Sequence, residues 1–227
     1  MPVLAITLIP WAALVLGAIV TAWRRPGPLT ASAVQHLAAG VVFAAAAGEV
    51  LPSLKHEGAV VPVMIGGLAG VILMLAVKTI GERVRGSGAL VAVIGVDMLI
   101  DGLVLGIAFA AGEKQGLLLA IALTLEVMFL GLAVAIALGD GAASRLKMVG
   151  ITAAIGALLP LGALLGAPVA LLPDSIVTGF FAFGLIALLY LVTEELLKEA
   201  HEQPEPAWVT SLFFLGFLSL LLLEEVI

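Results

Sequence analysis

The sequence predicts an all-α, polytopic membrane protein of about eight spanning helices, and three observations carry that prediction. Hydrophobic residues make up 63% of the 227 residues and charged residues only 11%, whereas a soluble domain carries roughly a quarter charged. A chain so composed cannot cover itself with water-facing groups, so its solvent is lipid. Apolar runs of the length that crosses a bilayer, about 20 residues, recur between short polar or Pro/Gly clusters. The alternating pattern of barrel strands is missing, so helices are left to satisfy the backbone in hydrocarbon. The 26 glycines and 11 prolines suit close helix packing and broken helices.

The spans follow in order. The first, approximately 3–23, runs from Met1-Pro2-Val3-Leu4 to Trp23-Arg24-Arg25; no cleavable leader pattern precedes it, and a retained helix is expected. Arg24-Arg25-Pro26-Gly27-Pro28 separates it from the second, 31–54. Lys55-His56-Glu57-Gly58 introduces the third, 60–82, and Arg83 to Gly88 the fourth, 88–111. Gly112-Glu113-Lys114 leads into the fifth, 116–138, and Gly139 to Lys147 into the sixth, 147–170. Leu172-Pro173-Asp174 opens the seventh, 174–199, and Glu199 to Pro206 the eighth, 207–227. These segments form a single transmembrane domain, 1–227, with no long linker.

Basic residues set the orientation. Arg24, Arg25, Lys78, Arg83, Arg85, Arg145, Lys147 and Lys198, eight of the ten Lys and Arg, fall at the first, third, fifth and seventh connections. Lys55 and Lys114 fall at the others. Both termini are therefore expected on the non-cytoplasmic side of a membrane, with a prokaryotic cytoplasmic (inner) membrane as the expected location. The net charge of −6 says little about partners, because most carboxylates lie at or inside the membrane. No basic patch suggests nucleic acid.

Cysteine is absent, which removes disulfides, thiolate metal sites and cysteine nucleophiles together. Nucleotide-binding loops, a Ser/His/Asp arrangement and a zinc-protease motif are missing too. The chain does not read as an enzyme, and no resident cofactor is expected. The expected partners are the bilayer, a divalent metal ion and, through small-residue faces, a second copy in a homodimer. Gly66-Gly67 with Gly70, and Gly156 with Gly162 and Gly166, are expected where helices approach closely.

The chemistry is concentrated in Gly95-Val96-Asp97-Met98-Leu99-Ile100-Asp101-Gly102. Asp97 and Asp101 lie four residues apart, on one face of a helix. An ionised Asp at mid-bilayer costs at least a few kcal/mol, so it survives only facing the bundle interior, water, a proton or a cation. Glu126 stands near the middle of the next span. Three acids at similar depth repel strongly unless protonated or bridged by a cation. Their oxygens are hard donors, favouring Mg²⁺, Mn²⁺ or Ca²⁺, although Zn²⁺ and Fe²⁺ also accept carboxylates. The competing reading is three protonated acids hydrogen-bonded between helices.

Glu49, near the outer end of the second span, and Glu194 and Glu195, near the inner end of the seventh, could line a pathway or reach the interface. His36, near the inner end of the second span, is a further pathway candidate, or a structural hydrogen-bonding residue. Glu224 and Glu225 close the last helix. Gly48 to Glu57 and Glu194 to Glu202 share an acid, a Leu pair or its equivalent, Lys and His-Glu at one helix end. Equivalent segments running in opposite directions are the mark of inverted-repeat transporters.

Taken together, these motifs resemble the ZIP (Zrt-, Irt-like) family of divalent metal transporters. Asp97-Met98-Leu99-Ile100-Asp101-Gly102 sits where that family has His-Asn-x-Pro-Glu-Gly. Glu126 to Gly131, followed by Leu132-Ala133-Val134-Ala135, sits where it has His-Glu-x-Pro-Glu-Gly-Leu-Ala. Leu159-Pro160-Leu161-Gly162-Ala163-Leu164 is similar to the sixth helix's Glu-Pro-Leu-Gly-Ala-Leu. Tyr190 to Glu199 resembles the seventh helix, and Ala39-Gly40 through Leu51-Pro52 the second.

The resemblance implies eight helices in a 3+2+3 bundle with an inverted repeat, and transport of Zn²⁺, Fe²⁺, Mn²⁺ or a similar ion as substrate. Asp97, Asp101 and Glu126 would be its ligands. Departures are explicit: Ile100 and Phe129 replace helix-breaking prolines, Leu130 and Leu159 replace glutamates, and Met98 and Val127 remove donors from a second metal position. One all-carboxylate cluster remains where the family holds two ions, and the connection from Arg83 to Gly88 is too short for the family's His-rich loop. The expected function is divalent-cation transport by alternating access. The alternatives are a proton-coupled carrier of another small solute and a non-transporting membrane scaffold or sensor.

Overall fold

A computed structural model describes residues 2–55, 60–83, 87–140, 143–202 and 204–226. His56 and Glu57 of the sequence echo, and the basic Arg85, fall outside them. Among the described residues there is no strand, and eight helices are long and apolar enough to cross a membrane. They run Ala5–Trp23, Pro28–Val50, Val60–Gly81, Val91–Phe109, Glu113–Ile136, Arg145–Leu171, Asp174–Ala200 and Ala207–Val226. Each expected span is thus matched by a helix within a few residues.

The molecule is inside-out relative to a soluble bundle. Leu8, Val61, Met64, Ile65, Leu68, Ile72, Phe214 and Leu222 are exposed, whereas Asp97, Asp101 and Glu126 are buried. Such a surface is stable against lipid and not against water. The third span is the least enclosed, 11% of its window being buried, and the fourth the most, at 67%. The segment carrying two acids is therefore the centre of the bundle, and the most apolar-faced helix is its periphery.

Four pairings dominate: first with fifth, fourth with sixth, second with eighth, and third with seventh. Glycine makes each of them close. A Cβ added at Gly17 would strike the Met128 carbonyl, and one at Gly131 the Leu14 carbonyl, locking the first and fifth spans together. Gly102 and Gly162 do the same between the fourth and sixth, against the carbonyls of Leu159 and Leu99. Gly40 and Gly216 join the second and eighth, and Gly66 meets Gly179 between the third and seventh. Lipid gives no hydrophobic drive between helices, so backbone-to-backbone packing at small residues supplies the cohesion.

Three spans are irregular, each for a local reason. In the second, a π-helical turn at Ala46–Val50 precedes Pro52; the wide turn accommodates a ring that cannot donate to, and would collide with, the carbonyl four residues back. The sixth breaks at Ala157, between Arg145–Gly156 and Leu158–Gly166, just before Pro160, and ends in a 3₁₀ turn at Ala167–Leu171. In the seventh, a π-helical stretch at Leu191–Leu196 contains both Glu194 and Glu195. There the Thr193 hydroxyl donates back to the Leu189 carbonyl at 2.9 Å, a bond that competes with regular helix.

Candidate metal centre

Asp97 and Asp101 project from the same face of the helix Ser87–Ala111, one turn apart. Glu126 projects from the middle of Glu113–Asp140, which packs directly on the fourth span. One carboxylate oxygen from each of the three lies within 4.8 Å of the others. Relative exposure is 7%, 4% and 1%, so water does not bathe any of them. The structure therefore brings together all three acids expected to share a site.

Their oxygens are poorly matched to a purely structural role. Asp101 Oδ2 and both Glu126 oxygens have no hydrogen-bond partner among the described residues. A buried polar atom without a partner costs on the order of 1–3 kcal/mol, and a buried charge more. Hydrogen-bonded carboxylic acids would have used these oxygens on one another or on backbone. A cation bound among them would satisfy all three side chains at once and offset their mutual repulsion.

Glu195, on the seventh span, lies near Asp97, Asp101 and Glu126 but outside the three-acid cluster. The π-helical stretch shifts register locally, and such bulges recur where a side chain is re-aimed at a functional site. Glu195 also lines a cavity of about 250 Å³ with Val77, Lys78, Gly81, Val93, Tyr190, Glu194 and Lys198. The recess brings Glu194, Glu195, Lys78 and Lys198 together at the inner end of the seventh span. A larger groove, about 360 Å³, lies between the third and seventh spans and is lined by Pro62, Ile65, Gly66, Phe180 and Phe183. Its apolar walls suit lipid chains rather than ions.

The remaining candidates are dispersed. Glu194 turns outward and pairs with Lys78 at 2.7 Å. That pair is exposed on both sides, and exposed pairs contribute little; Lys78→Ala is expected to leave the thermal unfolding midpoint unchanged. Glu49 lies in its π turn beside the charges of Glu224 and Lys114, and Lys114 Nζ donates to the Glu224 carbonyl at 2.6 Å. Because successive spans reverse direction, this group occupies the opposite membrane face from Lys78 and Glu194. His36 is buried away from the acids, beside His201 and Glu205. Glu205 escaped the sequence reading, and His201 entered it only through the helix-end echo, because both sit in the last connection, where a solvated charge is the ordinary expectation; the signal was the Pro204-Glu205-Pro206 frame, which fixes one carboxylate's backbone.

Leu159 is fully buried, and its carbonyl lies against Gly102. The side of the site towards the sixth span is therefore closed by hydrocarbon. Neither a scan against protein-family models nor a search of curated proteins finds a match for this chain.

Proposed function

We propose that this chain is a transporter of divalent metal cations, holding the ion at Asp97, Asp101 and Glu126 and exposing it alternately to the two sides of a membrane. The observation that carries this reading is the buried three-carboxylate cluster with unsatisfied oxygens. Acids in an apolar bundle are tolerated when they face a positive partner, and burying this many without one would only destabilise the fold. With oxygen donors alone, the site favours ions that accept carboxylates, including Mn²⁺, Fe²⁺ and Zn²⁺, over those needing sulfur.

The arrangement of helices supports a ZIP-like 3+2+3 bundle. Exchange of the first span with the sixth, second with seventh, third with eighth and fourth with fifth converts the first–fifth pairing into the sixth–fourth. It likewise converts the second–eighth pairing into the seventh–third. Each exchange, by five places or by one for the fourth and fifth, is odd and so reverses direction, which is the relation expected of inverted repeats. Gly17 and Gly131 answer to Gly162 and Gly102 under the same exchange. Eight of ten basic residues at alternate connections support termini on the non-cytoplasmic side.

Glu195 and its cavity then form the route between the site and the cytoplasm, and Glu49 lies towards the opposite opening. The test is Mn²⁺ uptake into liposomes containing the purified protein and an internal metal indicator. Wild type should show saturable uptake, and Asp97→Ala with Asp101→Ala should lower it at least about tenfold. Unchanged uptake in that variant removes the site assignment. Flux that follows a pH gradient without any response to divalent metal selects the proton-coupled carrier instead. No flux, with Asp97→Asn and Asp101→Asn changing stability alone, selects the scaffold.

A further inference from the structure

We infer that His36, His201 and Glu205 form a second cation site, chemically distinct from the buried carboxylates and suited to a borderline transition metal such as Zn²⁺ or Co²⁺. Three segments meet there: the start of the second span, the end of the seventh and the connection to the eighth. Ligand-capable atoms of the three side chains all lie within 4.8 Å of one another. Two imidazoles and one carboxylate are a recurrent donor set for such metals.

The hydrogen bonding fixes which nitrogen is offered. His36 Nδ1 lies 3.0 Å from the Ser32 carbonyl and His201 Nδ1 lies 2.6 Å from the Leu197 carbonyl. A carbonyl can only accept, so each Nδ1 is the donor, and in the neutral ring each Nε2 then presents its lone pair. Metal-binding histidines are typically oriented in this way, donating the other ring N–H to a backbone carbonyl or carboxylate. Both Nε2 atoms face the same oxygen: His36 Nε2 is 3.3 Å, and His201 Nε2 3.6 Å, from Glu205 Oε1.

Those distances discriminate between readings. An imidazolium–carboxylate bond closes to about 2.7–2.9 Å. Two tetrahedral ligands, each about 2.1 Å from a zinc-type ion, are about 3.4 Å apart. The observed spacings match the second case. His36 Nε2 is also wholly buried, at 1% exposure, with no hydrogen-bond partner. It is a buried ring nitrogen aimed into the cluster, with Glu205 Oε1 as its neighbour.

The surroundings hold the carboxylate for this task. Glu205 is framed by Pro204 and Pro206, its Oε2 accepts from the Ser32 hydroxyl, and its Oε1 lies 3.4 Å from the Thr210 hydroxyl. Gln35 Nε2 donates to Glu199 Oε2 at 2.8 Å, tying the second span to the seventh beside the site. The two rings meet edge-on, centroids 4.9 Å apart. His201 is exposed, which supplies a path for the ion and a solvent position for a fourth ligand. Occupation would clamp the second span to the connection between the seventh and eighth.

Co²⁺ titration of the full-length, detergent-purified protein tests the site by visible absorption. Four-coordinate Co²⁺ with imidazole ligands absorbs strongly, whereas an all-oxygen octahedral site absorbs weakly. The wild type should show the intense bands, and His201→Gln or Glu205→Gln should weaken Co²⁺ affinity at least about tenfold. Asp97→Asn with Asp101→Asn and Glu126→Gln should retain them, so the result stands apart from the transport proposal. Absence of the bands in folded wild type, or bands untouched by the exposed-residue change His201→Gln, overturns the site. Bands lost only in the carboxylate variant would place the ion among the acids and overturn it equally.

Discussion

Glu126→Gln is expected to lower metal uptake by the reconstituted protein severely while raising its unfolding temperature. Glu126 is 1% exposed, stands within 4.8 Å of Asp97 and Asp101, and has neither oxygen hydrogen-bonded among the described residues. Its side chain is therefore a cost to the empty fold and an asset only when an ion is bound. Glutamine keeps the volume, so no cavity opens, and it removes one member of a repelling trio. Stabilisation of about 1 kcal/mol is expected, the usual exchange of function for stability at a strained site. Uptake should fall at least about tenfold for loss of a ligand. Unfolding followed by intrinsic tryptophan fluorescence in detergent, beside the liposome assay, checks both halves. A variant that loses stability and keeps transport would show that Glu126 is a structural hydrogen-bonding acid.

Gly102→Val is expected to remove folded protein almost entirely. A Cβ at this position would strike the Leu159 carbonyl and crowd the Ala163 amide. These are backbone atoms, which cannot swing aside as a flexible side chain does. Overpacking ordinarily costs about 1–3 kcal/mol, and a clash against an adjacent backbone belongs at or above the top of that range. The same substitution would part the fourth and sixth spans beside Asp101. Gly150→Ala provides the contrast, since nothing lies within 4 Å of an added Cβ there, and a helix-interior glycine gains about 0.5–1 kcal/mol on replacement by alanine. The yield of monodisperse protein on size-exclusion chromatography measures both. Normal yield of Gly102→Val would contradict the close fourth–sixth crossing.

How much could be read in advance depended on the range of the interaction. Asp97 and Asp101 are related by a single helical turn, so their common face follows from local geometry. Glu126 lies on a different helix, yet its depth was readable because it stands midway along an apolar run of fixed length. Glu195 could not be brought near them by the same reasoning: its distance depends on how the seventh span is wound at Leu191–Leu196. Glu194, its neighbour in sequence, is directed to Lys78 instead. Two adjacent glutamates thus receive different surroundings from one local change of helical winding. His36 gave no hint of its partners, since His201 and Glu205 lie over 160 residues away in the chain.

By itself, the sequence determined that the chain is built of long apolar helices, roughly where its spans lie, and which acids stand midway along them. Those properties follow from hydrocarbon thickness and the cost of unpaired backbone groups, which act on each segment separately. Only the tertiary structure decided which helices touch, through reciprocal glycines such as Gly102 and Gly162. It also decided which polar groups share a site. Contact between helices in lipid turns on shape matching at a few small residues, and that matching exists only once both surfaces are folded and facing each other.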